Sequence, residues 1–173
     1  MTATHPFNSV EEATSFLSGA AVDEGVRHLS YWYLQYRDGA PDQVIWVATY
    51  DPHYMMHYMS NFTPLSDPVI TSVMDNKIVD WAEWFKVDHV AQAVDHIATR
   101  YEITKYGISM PLAAPGEDKI IFSVNTNSND ADWAKMRGQL VTRFRPFAHD
   151  FDARMRPLVA QTEKGDSVFK LQA

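Results

Sequence analysis

Between Trp133 and Leu158 the apolar residues Trp133, Met136, Leu140, Phe144, Phe147, Phe151, Met155 and Leu158 recur at steps of 3, 4, 4, 3, 4, 4 and 3. An α-helix repeats every 3.6 residues, so these side chains share one face for about seven turns. A helix that long with one apolar face needs a broad apolar surface to lie on. In a chain of 173 residues, 46% of them apolar, the simplest such surface is a sheet within the same domain. The helix is expected to start near Ala131. Pro146 is expected to kink it, since proline lacks the backbone donor and crowds the preceding turn. Pro157 lies near its end, and the tail after Gln161 reads as irregular.

The rest of the chain supplies that sheet. Residues 29–36 (LSYWYLQY) and 43–50 (QVIWVATY) are rich in aromatic and β-branched residues and read as paired strands. A long turn around Asp38-Gly39 is expected between them. Residues 107–113 and 119–125 read as a second pair, joined around Pro115-Gly116. Helical signals fill the remainder. Residues 8–18 open on an Asn or Ser cap with acids in the first turn, and Gly19 is expected to end that helix. A second short helix is expected over about 22–28. Asp51-Pro52 and Asp67-Pro68 each read as a cap followed by proline at the first helical position, opening helices to about Met59 and over 68–75. Residues 86–102 carry a stripe of Val87, Val90, Val94, Ile97 or Ala98, and Tyr101, which predicts one helix with a buried face. The expected fold is α+β: an antiparallel sheet, with four strands legible, covered by helices on both faces. No GxGxxG motif and no strict strand–helix alternation is present, which excludes a Rossmann unit.

Composition removes whole classes of chemistry. There is no cysteine, hence no disulfide framework, cysteine-based metal site, iron–sulfur cluster or cysteine nucleophile. The formal net charge is −7, without the positive balance of a nucleic-acid footprint. Arg143, Arg145, Arg154 and Arg156 cluster late in the chain and read as the solvated face of a helix. No apolar run is long enough to span a membrane, and the opening MTATHPFNSVEE lacks the basic-then-apolar pattern of a secretory signal.

Few residues qualify as catalytic machinery. His53 and His57 share a helix face at i,i+4, but the string HYMMH lacks the glutamate of a HExxH site, and no metal is expected. His89 and His96 read as part of a solvated face. Ser109 and Ser123 fall inside predicted strands without a GxSxG elbow, no P-loop is present, and the carboxylates are scattered. No catalytic residue is therefore expected. The unusual feature is aromatic density: all eight tyrosines lie between 31 and 106. Tyr50, Tyr54 and Tyr58 are spaced four apart across a helix start, which suits a core ladder or the wall of a ligand site. Asp67 opens a helix beside them. It can cap that helix, accept a ligand amide, or do both.

The string YDPHYMMHYMSNFTPLSDPVI, a tryptophan at 81, YGISMPL and the IIFS strand together resemble the N-terminal autoinducer-binding domain of LuxR-type quorum-sensing transcription regulators. The resemblance is clearest from Ile45 to Leu158. It implies an α-β-α sandwich around a sheet of typically five strands, with an N-acyl homoserine lactone held between sheet and helices. It implies that Tyr50 bonds the acyl carbonyl, Tyr58 encloses the acyl side, Asp67 accepts the amide N–H beside Val69, and Trp81 packs against the lactone ring. Ser123 would bond the acyl carbonyl, and Ile121, of the same strand parity, would face the same pocket. The resemblance further implies a cytoplasmic, non-enzymatic homodimer with no cofactor beyond the signal ligand. Residues 1–161 would be the ligand-binding domain and 162–173 the start of a linker or tail. DNA would be reached only through a C-terminal helix-turn-helix domain not contained in this chain.

At Tyr54 the chain departs from the family, which usually has a tryptophan there whose indole N–H bonds the lactone carbonyl. A tyrosine hydroxyl donates from a different point. The contact is then kept with a shifted head group, bridged by water, or lost, and a non-lactone signal is the alternative. Two further readings compete: an enzyme acting on acyl amides or lactones, and a docking or dimerisation domain with a filled core.

Overall fold

The computed structural model describes residues 5–162. The elements, in chain order, are α1 (Val10–Asp23), β1 (His28–Arg37), β2 (Ala40–Ala48), α2 (Pro52–Asn61), α3 (Pro68–Met74), β3 (Val79–Asp80), α4 (Trp81–Val87), α5 (His89–Thr99), β4 (Gly107–Leu112), β5 (Lys119–Asn125) and α6 (Asp130–Thr162). The strands form one antiparallel sheet in the order β2-β1-β5-β4-β3. The protein is an α+β sandwich with a separate apolar core on each face of the sheet.

Strand parity assigns each side chain to a core. Leu29, Tyr31, Tyr33, Ile45, Val47, Ile108, Met110, Ile120, Phe122 and Val124 point toward α1 and α6. Trp32, Leu34, Val44, Trp46, Ala48, Val79 and Ile121 point the other way, toward the short helices α2–α5. Because both faces are covered, the strands read as continuous apolar runs rather than as an alternation. The long stripe meets the first face: Trp133, Leu140, Phe144, Phe151 and Met155 are buried, while Met136, Phe147 and Leu158 are packed against the core and partly covered. α6 runs on through Pro146 and Pro157. Tertiary packing of the stripe carries the helix across both missing donors. Thr162, the first residue of the linker or tail expected over 162–173, is helical, and 163–173 lie outside the described residues.

Several boundaries differ from the sequence expectation. α1 does not stop at Gly19, whose surroundings are open, and no second helix forms over 22–28. The helix ends instead at Gly25 (φ +64°), where Val26 N–H donates to Ala21 C=O and Gly25 N–H to Val22 C=O. This double closure satisfies the last carbonyls and requires a left-handed residue at Gly25. The β1–β2 connection is tight, not long. Asp38 (φ 52°) and Gly39 (φ 77°) form a two-residue turn, because two positive φ values match the strand twist, and β2 starts at Ala40. β2 carries one extra residue, Asp42, opposite the step from Gln35 to Tyr36.

The stripe at 86–102 is two helices. Asp88 ends α4 and caps α5, its carboxylate accepting from Val90 and Ala91 N–H. The chain turns there, so Val87 is 77% exposed and the buried face of α5 is Ala91, Val94, Ile97 and Ala98. The fifth strand, β3, has only two residues and was too short to carry a period. Three of the four late arginines are engaged by partners, although Arg143 stays exposed. Arg143 pairs with Glu24, Arg154 stacks on the Phe7 and Phe16 rings at 4.0 and 4.1 Å, and Arg156 grips Asp152 at 2.8 Å. Glu24, Phe7 and Phe16 lie far off in the chain, so those contacts have no local signature, whereas Asp152 and Arg156 are an i,i+4 pair on α6 itself.

Candidate functional site

The site is assembled by three helix starts and the sheet beneath them. Asp51 accepts His53 N–H at 2.7 Å and opens α2, which sets Tyr54 and Tyr58 on one buried face just after Tyr50. Asp67 opens α3 by accepting Val69 N–H at 2.8 Å through Oδ1. Its other oxygen accepts the Tyr58 hydroxyl at 2.7 Å. The cap and the tyrosine ladder are thus locked to each other. Asp80 opens α4 and places Trp81 as its first residue. Asp80 also accepts the Trp133 indole N–H and pairs with Arg137 at 2.7 Å, tying this corner to α6.

The Trp81 ring lies flat against β4 at Gly107. A Cβ built there would sit 2.2 Å from Trp81 Cε3, so only glycine permits this approach. The indole N–H donates to Ser109 Oγ at 2.8 Å, and Ser109 Oγ lies 2.8 Å from Ser123 Oγ across the β4–β5 pair. An indole can only donate. Ser109 therefore accepts from it and can pass its own proton to Ser123, which frees the Ser123 proton for an acceptor in the space above.

That space is a cavity of about 50 Å³ between the sheet and helices α2–α5. Tyr50, Tyr54, Tyr58, Asp67, Val69, Trp81 and Ser123 all line it. Of the residues expected from sequence, Ile121 is not among those lining it, though it is fully buried in the same core. Ser30, Trp32, Trp46, Ile70, Phe85, Val94, Ala98, Ile103, Thr104 and Ser109 complete the lining. Strand parity reaches Ser30, Trp32 and Trp46 once β1 and β2 are placed. Ser109 needed the β4–β5 register, and the residues from α4 and α5 needed the break at Asp88.

The rings interlock. Tyr50 and Tyr54 meet edge-on at 5.3 Å, Tyr54 and Tyr101 at 5.6 Å, and Trp46 and Tyr58 at 5.5 Å. Burial pushes the Tyr50 hydroxyl's ionisation up, partly offset by a hydrogen bond with Ser30. Burial likewise keeps the Tyr54 and Tyr58 hydroxyls protonated, reinforced by the nearby Asp67 charge. Tyr54 O–H has no hydrogen-bond partner among the described residues.

Asp67 is the single carboxylate on this wall. Burial raises its pKa above the ordinary 3.8, against the lowering by Tyr58 and the α3 amides. A folded-state pKa above the unfolded one means that the native state holds the proton longer. This group's contribution to stability therefore falls as pH rises through the interval above 3.8. Asp67→Asn removes that slope. In denaturant titrations at pH 4 and pH 7 the variant is expected to gain on the wild type at the higher pH. A difference that is flat with pH rejects this assignment.

A family comparison bears on this arrangement. The profile of the autoinducer binding domain matches residues 9–155, nearly the whole described fold and every residue of the cavity wall. The chain belongs to the autoinducer binding domain family. Domains of this family bind signals and are not catalytic, so the chain is a signal-sensing domain. Among curated protein sequences none matches. Solved structures do. The N-acylhomoserine lactone-dependent LuxR-family transcription factor CepR2 of Burkholderia cenocepacia is similar at 18% identity and a TM-score of 0.60, over 86% of this chain and 84% of that one. SdiA of Escherichia coli is similar at 15% identity and a TM-score of 0.62, over 94% of this chain and 65% of its own. SdiA in complex with octanoyl-rac-glycerol gives 15% and 0.61, over 88% of this chain and 61% of its own. This autoinducer binding domain thus spans less than two thirds of those SdiA chains and shares their fold. No helix of the described residues is long and apolar enough to cross a membrane.

Proposed function

We propose that residues 1–161 are the sensor unit of a LuxR-type quorum-sensing regulator and that the cavity binds an N-acyl homoserine lactone. The observation that carries this reading is the buried Asp67 carboxylate, already fixed by Tyr58 and Val69, on the wall of a cavity whose other lining is aromatic, apolar or hydroxyl-bearing. A carboxylate held there has lone pairs left for an amide N–H, and the remaining polar groups suit the rest of such a ligand. Tyr50 and Ser123 donate to the acyl carbonyl, Trp81 covers the lactone ring, and Tyr58 and Val69 wall the acyl side, with Ile121 buried in the same core. The regulator works as a homodimer in the cytoplasm and reaches DNA only through a C-terminal helix-turn-helix module outside this sequence. The enzyme reading has no family support, and the filled-core reading does not suit a cavity beside Tyr50 and Asp67.

At about 50 Å³ the cavity is smaller than the few hundred ångströms cubed that small-molecule sites usually offer. Binding therefore shifts lining side chains and is expected to show as stabilisation. A ligand at a hundred times its Kd adds about 2.7 kcal/mol. Melting curves with and without acyl homoserine lactones, followed by mass spectrometry of the ligand, test the proposal. Stoichiometric retention of intact ligand with a raised Tm supports it. Steady ligand loss with turnover, or no shift with any lactone, sinks it.

Tyr54 decides the head group. If its unpartnered hydroxyl donates to the lactone carbonyl, Tyr54→Phe loses about 0.5–3 kcal/mol of binding and leaves the fold intact, because no internal hydrogen bond is broken. Tyr54→Trp then binds as well or better. If Tyr54 is only wall, Phe is nearly neutral and Trp overpacks against Tyr50 and Tyr101, costing about 1–3 kcal/mol of stability. Calorimetry on both variants separates the cases. Octanoylglycerol, the ligand named for SdiA, is the non-lactone probe to include.

A further inference from the structure

Part of the cavity wall is a stacked pair of indoles. Trp32 and Trp46 are directly opposed across β1 and β2, and their rings stack at 4.1 Å with 18° between planes. They are 4% and 5% exposed. Tyr58, itself pinned by Asp67, meets both rings edge-on at 6.0 and 5.5 Å. Each indole has only two rotatable bonds and sits on a paired strand, so the stack gives way far less readily than aliphatic side chains of the same volume.

Trp46 has a second neighbour. On its other side, between β2 and α2, lies an apolar groove of about 480 Å³ lined by Val44, Met55, Met56 and Met59. Trp46 lines both spaces and is the partition between them. Its indole N–H is buried without a hydrogen-bond partner, so ring packing alone holds it there. A ligand chain entering from the Asp67 end meets this partition before it reaches the groove.

We propose that the Trp32–Trp46 stack is a stop that restricts the site to ligands with a compact acyl group, short or planar, and that Trp46 sets the limit. The inference rests on the lactone reading above and adds the class of acyl chain. A linear chain of ten or more carbons needs depth that the cavity short of the stack does not provide. A short chain fits before the stop, and a planar aryl group gains edge-to-face partners from Tyr50, Tyr58 and the indoles. Removing the Trp46 ring joins cavity and groove, and the methionines then offer a yielding apolar bed for a long chain.

The test is calorimetry of N-butanoyl, N-cinnamoyl and N-dodecanoyl homoserine lactone on the wild type, Trp46→Phe and Trp46→Ala. The wild type is expected to bind the butanoyl or the cinnamoyl compound about tenfold or more tighter than the dodecanoyl one. The two compact arms tell a short chain from a planar one. Trp46→Ala is expected to gain about tenfold or more for the dodecanoyl compound, with Trp46→Phe between. No internal hydrogen bond is lost in either variant. A wild type that prefers the dodecanoyl compound overturns the stop while leaving the lactone reading in place. An unchanged rank order in both variants overturns the role of Trp46. Absence of binding to every lactone overturns this proposal together with the lactone reading. Should Trp46→Ala fail to fold, the wild-type ranking and Trp46→Phe still decide.

Discussion

Replacing Gly107 by alanine is expected to cost about 2–4 kcal/mol of stability and to dismantle one wall of the sensor site. The added Cβ would lie 2.2 to 2.6 Å from three atoms of the Trp81 ring, far inside contact distance. The obstacle is a rigid ring and not the end of a flexible chain. Trp81 is 8% exposed, is held by its bond to Ser109, and is fixed in direction as the first residue of α4. It escapes only by giving up that bond or by pushing α4 off the sheet. In a domain of this size the loss corresponds to a fall in Tm of roughly 5–15 °C. Ser109 would lose its indole donor at the same time, and the Ser109–Ser123 pair its fixed direction, so ligand affinity should fall with stability. Gly138→Ala is the control. Gly138 lies in α6 with nothing within 4 Å, so alanine there should be neutral or slightly stabilising. Thermal melts of the two variants make the comparison. A Gly107→Ala protein that melts with the wild type means that Trp81 does not occupy this position.

Asp67→Asn is expected to weaken ligand binding by roughly tenfold to a few hundredfold while the fold survives. A hydrogen bond to a charged, buried acceptor is worth about 1.5–3 kcal/mol, which sets that range. The fold survives because asparagine keeps an oxygen for Val69 N–H, the bond that caps α3. The amide nitrogen then faces Tyr58, whose hydroxyl can turn and accept where it formerly donated. Calorimetry for affinity and denaturant unfolding for stability separate the two effects. Affinity equal to wild type would take Asp67 out of the site. A variant that unfolds would reduce Asp67 to its capping role.

Much of this site was legible because its signals are local. Asp51-Pro52 and Asp67-Pro68 announce two helix starts, and the four-residue spacing of Tyr50, Tyr54 and Tyr58 follows from the first of them. The residues at which the chain resembles LuxR-type domains named seven positions of the cavity wall, and family membership rests on residues 9–155. Ile121 shows where parity stops helping. It points to the same face as Ser123, but parity gives a side and not a place on the cavity, and Ile121 is buried in that core without lining it. Asp88 shows the other limit. A stripe at helical spacing runs straight through it, and only its role as C-cap of one helix and N-cap of the next makes Val87 exposed and brings Val94 and Ala98 to the cavity.

The sequence by itself determined the layered α+β fold, since a stripe from Trp133 to Leu158 needs a sheet face and two strand pairs supply one. It also determined the helix starts at Asp51 and Asp67, because propensity, capping and periodicity act within a few residues of chain, whereas Gly107 is required only by the Trp81 ring packed on it. The tertiary structure alone decided which polar groups meet: Tyr58 with Asp67, Trp81 with Ser109 and Ser109 with Ser123, across separations of 9, 28 and 14 residues. It alone decided that two tryptophans stack on the cavity wall, and that Arg154 lies over the Phe7 and Phe16 rings. Those outcomes depend on strand register and on how far each helix slides before its side chains interlock. Register and sliding are fixed by packing between distant segments, and no local pattern in the chain encodes them.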